Sequence, residues 1–323
     1  MLIMVKGENK MIIAIVSVGL LLLVLAGSYY AYRVAFYVSP RYEQDIYELP
    51  RGEKSPERLS VLRTCIQKLN ALPYEAITIT STDGKKLFGR YYHSRDGAPV
   101  QIQFHGYRGS AMRDFCGATA FARKLGHNVL VVDQRCHGQS EGHTITFGIR
   151  ERYDCQSWAN YAYQRFGKDT PWVLAGVSMG GATVLMASDL ELPETVCAIV
   201  ADCPYSSPKA IIAKVAGEMG LPQKPAAAIC CLGALLYGHF RVSGCNALDC
   251  VKATKLPVLL IHGEADQLVP CDMSRDLYEA CASDKELQTF PGATHGMSYL
   301  EDPQRYEATV GGFLERCIRA KTA

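Results

Sequence analysis

The sequence contains no C-x-x-C pair, no phosphate-binding glycine loop, no basic run interleaved with aromatics, and no internal repeat or low-complexity tract. Each absence removes a class of function. The thirteen cysteines are odd in number and scattered through predicted strands and helices, which suits neither a disulfide framework nor a zinc site. Free, buried thiols account for them, the adjacent Cys230 and Cys231 included. With 34 Lys and Arg against 32 Asp and Glu, the formal charge is only +2, so nothing points to nucleic acid. Neither a cofactor nor a metal is implied, and a small-molecule or acyl substrate is the natural expectation.

What the chain does have is length and apolar content. Its 323 residues, 48% of them hydrophobic, suffice for one large core and one catalytic domain. Residues 11–32 carry no charged side chain. At about 1.5 Å per residue they match the roughly 30 Å hydrocarbon layer of a bilayer, which predicts a transmembrane anchor behind a short tail, residues 1–10. Tyr29, Tyr30, Tyr32 and Tyr37, with Arg33 among them, suit an interfacial aromatic belt. The competing reading is a cleaved signal peptide with Ala26, Gly27 and Ser28 near the cut, but the apolar run exceeds the ~7–15 residues of a signal core. Leu25-Ala26-Gly27 resembles a lipoprotein box, yet Ser28 stands where the lipidated cysteine belongs. Lys6 and Lys10 precede the span and Arg33, Arg41 and Arg51 follow it, a weak asymmetry. The reading leans to a single-pass cell-membrane protein with its catalytic domain outside the cytoplasm, as a signal anchor would leave it.

Residues 33–73 are polar, with a helical segment, and are expected to connect the anchor to a domain over 74–323. Strands at 75–81 and 86–92 flank Thr82-Asp83-Gly84, a D-G hairpin turn. Strands then alternate with helices: strands at 100–104, 128–133, 172–177, 196–201, 256–261 and 287–290, and helices at 112–125, 149–166, 179–190, 272–282 and 303–318. Such alternation predicts an α/β fold whose mainly parallel sheet is covered on both faces, with functional loops beyond the carboxyl ends of the strands. The interval from 201 to 256 is too long for a plain crossover. Ile211, Ile212, Val215 and Met219, then Ile229, Leu232, Leu235 and Leu236, recur at near-helical spacing. Two or more helices are therefore expected as a cap, approximately 206–254, favouring an apolar acyl or aryl group or docking on a membrane; covering the sheet is the plainer alternative.

The stretch WVLAGVSMGG, residues 172–181, reads as a buried strand, a sharp turn at Ser178 and a helix. Gly176 and Gly180 flank the turn because strand and helix nearly touch there and a Cβ would collide. Ser140 matches the same G-x-S-x-G pattern but lacks both a leading strand and a following helix. A serine nucleophile needs a base, and the base an orienting acid. Among eight histidines, His295 lies between the last strand and the last helix, where a loop can lower its ring onto Ser178. His105 and His262, at strand ends before glycine, are expected to shape loops, and His93, His127, His137, His143 and His239 have no comparable placement. Asp266, one strand earlier than the base, is the expected acid, with Asp202 and Glu264 as competitors. Oxyanion donors would be the N–H groups of Met179 and of Tyr107, in His105-Gly106-Tyr107-Arg108-Gly109, and the Tyr107 phenol could line an acyl pocket.

The set HGYRG, DQRCHGQSEG, ITFGIRERYD, GVSMGG, ADCPYSS, IHGEADQLVP and ATHGMSY resembles the α/β-hydrolase superfamily, in particular its bacterial, membrane-anchored branch related to Bem46-like hydrolases and the serine aminopeptidase-like (S33-type) group. The resemblance covers residue 76 to the C-terminus. It implies Ser178 as nucleophile, Asp266 as acid, His295 as base, and Tyr107 with Met179 at the oxyanion hole. Cys136 departs from the pattern, standing where many relatives carry Gly or Ala, in a loop with no role in the triad. The expected activity is a cofactor-independent serine hydrolase cleaving carboxylic esters through an acyl-enzyme. The alternatives are an amidase or aminopeptidase, for which Glu218 is the one obvious amine-binding acid in the cap; an acyltransferase; and a membrane-tethered binding protein without catalysis.

Overall fold

The computed structural model describes residues 2–39, 45–47 and 55–322. Parts of the expected connection at 33–73 lie outside them. A first helix, α1 (Leu2–Ala35), contains the apolar run, and α2 (Pro56–Asn70) starts with Ser55 as N-cap and Pro56 in its first turn. The body then follows as β1 (Glu75–Thr80), β2 (Lys86–Tyr92), β3 (Val100–Phe104), α3 (Ala111–Lys124), β4 (Asn128–Val132), α4 (Glu151–Phe166), β5 (Trp172–Val177) and α5 (Met179–Ala187). After β6 (Val196–Asp202) come α6 (Pro208–Glu218), α7 (Gln223–Leu236) and α8 (Ala247–Cys250). The chain closes with β7 (Val258–Gly263), α9 (Asp272–Ala280), β8 (Lys285–Phe290), α10 (Ser298–Glu301) and α11 (Pro303–Thr322).

The eight strands form one sheet in the order β1-β2-β4-β3-β5-β6-β7-β8. The D-G hairpin makes β1 and β2 antiparallel, β2 pairs antiparallel with β4, and the remaining pairs are parallel. Strands β4, β5, β6 and β7 are apolar on both sides because both sides are covered, whereas β3 buries Gln101 and Gln103 on one side. In β4, Leu130 and Val132 join the core beneath α4 and α5, while Val129 and Val131 join the one beneath α2, α3 and α11. The helix α2 thus buries Leu62, Ile66 and Leu69 in the second core rather than bridging solvent.

The apolar helix ends at Ala35, three residues later than the uncharged run. Met11–Ala35 has mean hydropathy 2.7 and is long and apolar enough to cross a membrane, a test that a signal sequence also passes. Its last turns pack on the body: Tyr32, Phe36 and Val38 are buried, Tyr37 bridges to Thr144, and Gly233 of α7 backs so closely on the Ser28 carbonyl that a Cβ would collide. In the expected cap, Ile211 and Ile212 are buried, whereas Met219, Leu235 and Leu236 face outward.

Arg135 ties the DQRCHGQSEG segment to the fold. Buried to 2% exposure, it forms a bidentate pair with Asp154 of α4 (2.6 Å for both contacts) and reaches Asp83 in the hairpin turn at 3.1 and 3.2 Å. Replacing Arg135 by Met strands a buried carboxylate, so urea denaturation is expected to register a loss of about 3–5 kcal/mol. Pairing it with Asp154→Leu should recover most of that loss.

Candidate active site

The turn between β5 and α5 holds Ser178 at φ 56°, ψ −116°. A Cβ on Gly176 would strike the backbone of Gly180, and one on Gly180 would strike the carbonyl of Phe104, so both positions exclude a side chain. Strand β5 lies between β3 and β6, and the loops beyond their carboxyl ends close around the serine. Ser178 N–H donates to Asp202 O at 2.8 Å, which pins the turn to β6.

Three sequence-predicted residues converge. Ser178 Oγ stands 2.9 Å from His295 Nε2, and His295 Nδ1 stands 2.6 Å from Asp266 Oδ2. A carboxylate only accepts, so Nδ1 carries the proton and Nε2 presents its lone pair to the serine hydroxyl. The other carboxylate oxygen of Asp266 accepts the N–H groups of Leu268 and Val269, both at 2.9 Å. Burial disfavours the charge on Asp266, but hydrogen bonds from His262 and His295 outweigh it and hold the carboxyl far below its ordinary range.

The competing residues go elsewhere. Ser140 Oγ donates to Asp133 O (2.6 Å) and accepts from Phe88 N–H (2.8 Å), a structural serine within its loop. Glu264 accepts from Thr289. Asp202 is buried and accepts from Ser298 Oγ at 3.2 Å; burial pushes its carboxyl up to about 7. His262 shapes its loop as expected: Nε2 donates to Val269 O at 2.9 Å and Nδ1 accepts from Ser274 Oγ at 2.6 Å.

The His105-Gly106-Tyr107-Arg108-Gly109 turn lies against the serine. A Cβ on Gly106 would sit 3.3 Å from that of Ser178. Two stacked histidines hold the turn from behind, their rings 4.7 Å apart and edge to face. His105 accepts Gln134 N–H and donates to Gly106 O; His137 accepts Arg108 N–H at 3.0 Å and donates to Arg135 O. Burial drives His105 down to about 3 and lowers His137 as well, so both rings are neutral and have one nitrogen free to accept. His137 therefore has a position that sequence reasoning missed, although the D-x-R-x-H spacing carried it. Arg108 takes φ 48° there. The Tyr107 hydroxyl donates to Ala35 O of α1 at 2.9 Å, and its ring stacks on Phe147. Met179 opens α5, where the first N–H groups have no intrahelical acceptor.

Cys203, after β6, was not anticipated at the site. Its sulfur, the Asp266 carboxylate and His295 lie within 4.8 Å of one another, and the N–H groups of Ser178 and Gly296 face it. Burial pushes this thiol well above its ordinary range, and Asp266 and His295 are already hydrogen-bonded to each other, an arrangement ill suited to a cation. Cys136 adopts φ 69°, in the left-handed region that favours glycine, and its sulfur fills the space beside Gly142.

Comparisons with known proteins agree with this architecture. A family model described as alpha/beta hydrolase fold matches residues 102–226, and one described as serine aminopeptidase, S33, matches residues 237–303. The chain is similar to the uncharacterized protein YqkD of Bacillus subtilis, 27% identical over 241 residues that cover 74% of this chain and 79% of that one. It is likewise similar to the protein bem46 of Schizosaccharomyces pombe, 26% identical over 250 residues, 75% and 77% of the two chains. Among solved structures, the Pyrococcus furiosus esterase Pf2001 matches with a TM-score of 0.63 at 26% identity, over 87% of this chain and 100% of that one. With its sheet order, its serine turn after β5 and these likenesses, the chain has the α/β-hydrolase fold.

Proposed function

We propose that the protein is a serine hydrolase that cleaves carboxylic esters through an acyl-enzyme, held at a membrane by α1. The observation that carries this reading is the continuous hydrogen-bonded chain from Ser178 through His295 to Asp266. Ser178 Oγ attacks the ester carbonyl as His295 Nε2 takes its proton, and Asp266 stabilises the imidazolium that results. The N–H groups of Tyr107 and Met179 receive the oxyanion, each worth about 3 kcal/mol in the transition state. His295 then protonates the departing alcohol, and a water activated by the same ring releases the acid and restores Ser178.

The esterase among the structural neighbours favours ester over amide. Glu218, the residue on which amine recognition would depend, is exposed at the end of α6 and paired with Lys214, which speaks against an aminopeptidase. Asp202 is the carboxylate that burial keeps protonated near neutral pH, so it is the poorer partner for an imidazolium.

The full chain in detergent micelles, assayed on p-nitrophenyl esters of increasing acyl length and on aminoacyl p-nitroanilides, tests the reaction. Esters should turn over, and Ser178→Ala should lose on the order of 10³-fold or more. Cleavage of anilides alone would replace the ester reading by a peptidase one, and full activity in Ser178→Ala would remove the nucleophile assignment. A fragment beginning at Arg33 is unsuitable, because it loses Ser28 and Tyr32, which are packed in the body.

The two aspartates separate by variant. Asp266→Asn should lower kcat on the order of 10³–10⁴-fold, whereas Asp202→Asn should leave it near wild type. Asp202 ionises at about 7 when folded against an ordinary 3.8, so the folded state holds its proton more tightly. The stability it contributes is complete below about pH 4 and is lost as pH rises to about 7. Asparagine mimics the protonated form throughout, so the Tm advantage of Asp202→Asn should grow between pH 4 and 7 and level off above. An advantage independent of pH would contradict this.

A further inference from the structure

The apolar helix is free for only part of its length. Every residue from Met11 to Val24 is exposed, whereas Ser28, Tyr32 and Phe36 are buried against the body. Counted from Lys10, the last charge before the apolar run, the exposed stretch to Val24 extends about 21 Å, short of the roughly 30 Å hydrocarbon layer by some two turns. A bilayer spanned by α1 therefore reaches the level of Tyr29 and Tyr30, along a segment already fixed to the protein, with Arg33 just beyond.

Helix α7 runs beside that segment in the same direction. Gly27 faces Ile229, Ser28 backs on Gly233, Tyr32 meets Tyr237, and Phe36 meets Phe240 at a ring separation of 5.3 Å. Followed backwards, this pairing brings the start of α7 and the turn before it level with residues preceding Leu25, on the bilayer side of Tyr29 and Tyr30. The turn has the composition for that position. Residues 218–225 are all exposed, with Met219 at 59% and Leu221 at 49%, two large apolar side chains at the tip of a loop. Lys224 stands beside them, and the charge of Glu218 is matched by Lys214.

The other end of α1 meets the reaction site. Its Ala35 carbonyl accepts the Tyr107 phenol and its Val34 carbonyl accepts Arg108, both at 2.9 Å, from the turn that lies against Ser178. Eleven residues of helix, about 16 Å, separate Val24 from Ala35. We infer that the α6–α7 turn is a second contact with the lipid bilayer beside α1, and that the ester cleaved belongs to a membrane lipid which reaches Ser178 without crossing water. The substrate class rests on the ester reading; the contact does not.

Tryptophan quenching tests the contact without reference to catalysis. The two native tryptophans, Trp158 and Trp172, are fully buried, so a new one reports its own surroundings. The full chain carrying Leu221→Trp, reconstituted in phosphatidylcholine–phosphatidylglycerol vesicles, should shift its emission to the blue and lose intensity when the acyl chains are brominated. Leu125→Trp, at the end of α3 on the amino-terminal side of the sheet, should not respond. Equal quenching of the two, or none in either, overturns the contact. In the same vesicles, Met219→Glu with Leu221→Glu should lower hydrolysis of an embedded long-chain ester about tenfold while leaving a soluble short-chain ester unaffected. Unchanged hydrolysis of the embedded ester overturns the delivery route. Failure of the wild-type chain on every ester would instead remove the ester reading, and with it the lipid substrate, whatever the quenching shows.

Discussion

One close approach of backbone to backbone governs the design of the site. Strand β5 can reverse into α5 only because Gly176 and Gly180 leave no atom between strand and helix, and because Phe104 of the neighbouring strand can press its carbonyl against Gly180. A side chain at either position would push α5 off the sheet. That displacement would carry Ser178 away from the loops after β3, β6 and β8, each of which supplies something within reach of it: Gly106, Cys203 and His295. The parallel sheet brings the loops to one edge, and the two glycines bring the serine up to meet them.

Around that serine, identical functional groups have been driven to opposite states by their surroundings. Asp266 and Asp202 are both buried aspartates beyond neighbouring strands. One receives two backbone N–H groups and contacts from two imidazoles and stays ionised; the other is offered a single hydroxyl and keeps its proton until near neutrality. The histidines divide in the same way. His105 and His137 are neutral props for a turn, and His262 is a clamp on a loop, while His295 alone faces the serine hydroxyl. The partners available to each group, rather than its residue type, separate the roles.

Much of this was legible in the sequence, for local reasons. The serine turn, the alternation of strands and helices and the chain order of Ser178, Asp266 and His295 follow from glycine spacing, apolar period and the geometry of parallel sheets. Predicted element ends fell mostly within a few residues of those observed, the parallel-sheet strands arriving where apolar runs met turn residues. What escaped were contacts between segments far apart in the chain. His137 looked like any loop histidine until the structure put it behind Arg108, and Cys203 looked like packing until β6 delivered it beside His295. The helical period of Met219, Leu235 and Leu236 left open whether they cover the sheet or face outward, because spacing does not reveal which face meets a neighbour. The uniform apolarity of residues 11–32 likewise concealed that the last turns of α1 rest on protein.

The position of that helix in the chain has a consequence for biosynthesis. Leu25 to Phe36 are made before the surfaces that receive them: Phe147, then α7 and Phe240, lie about 110 and 200 residues downstream. At roughly 5–20 residues per second, some 10–40 s pass before the cradle for α1 is complete. Until Phe147 is made the buried face of Tyr32 and Phe36 has no counterpart on the nascent chain, and until α7 follows it has only part of one. Its first shelter must come from outside the polypeptide, and docking onto the body is a late event in which one set of apolar neighbours is exchanged for another.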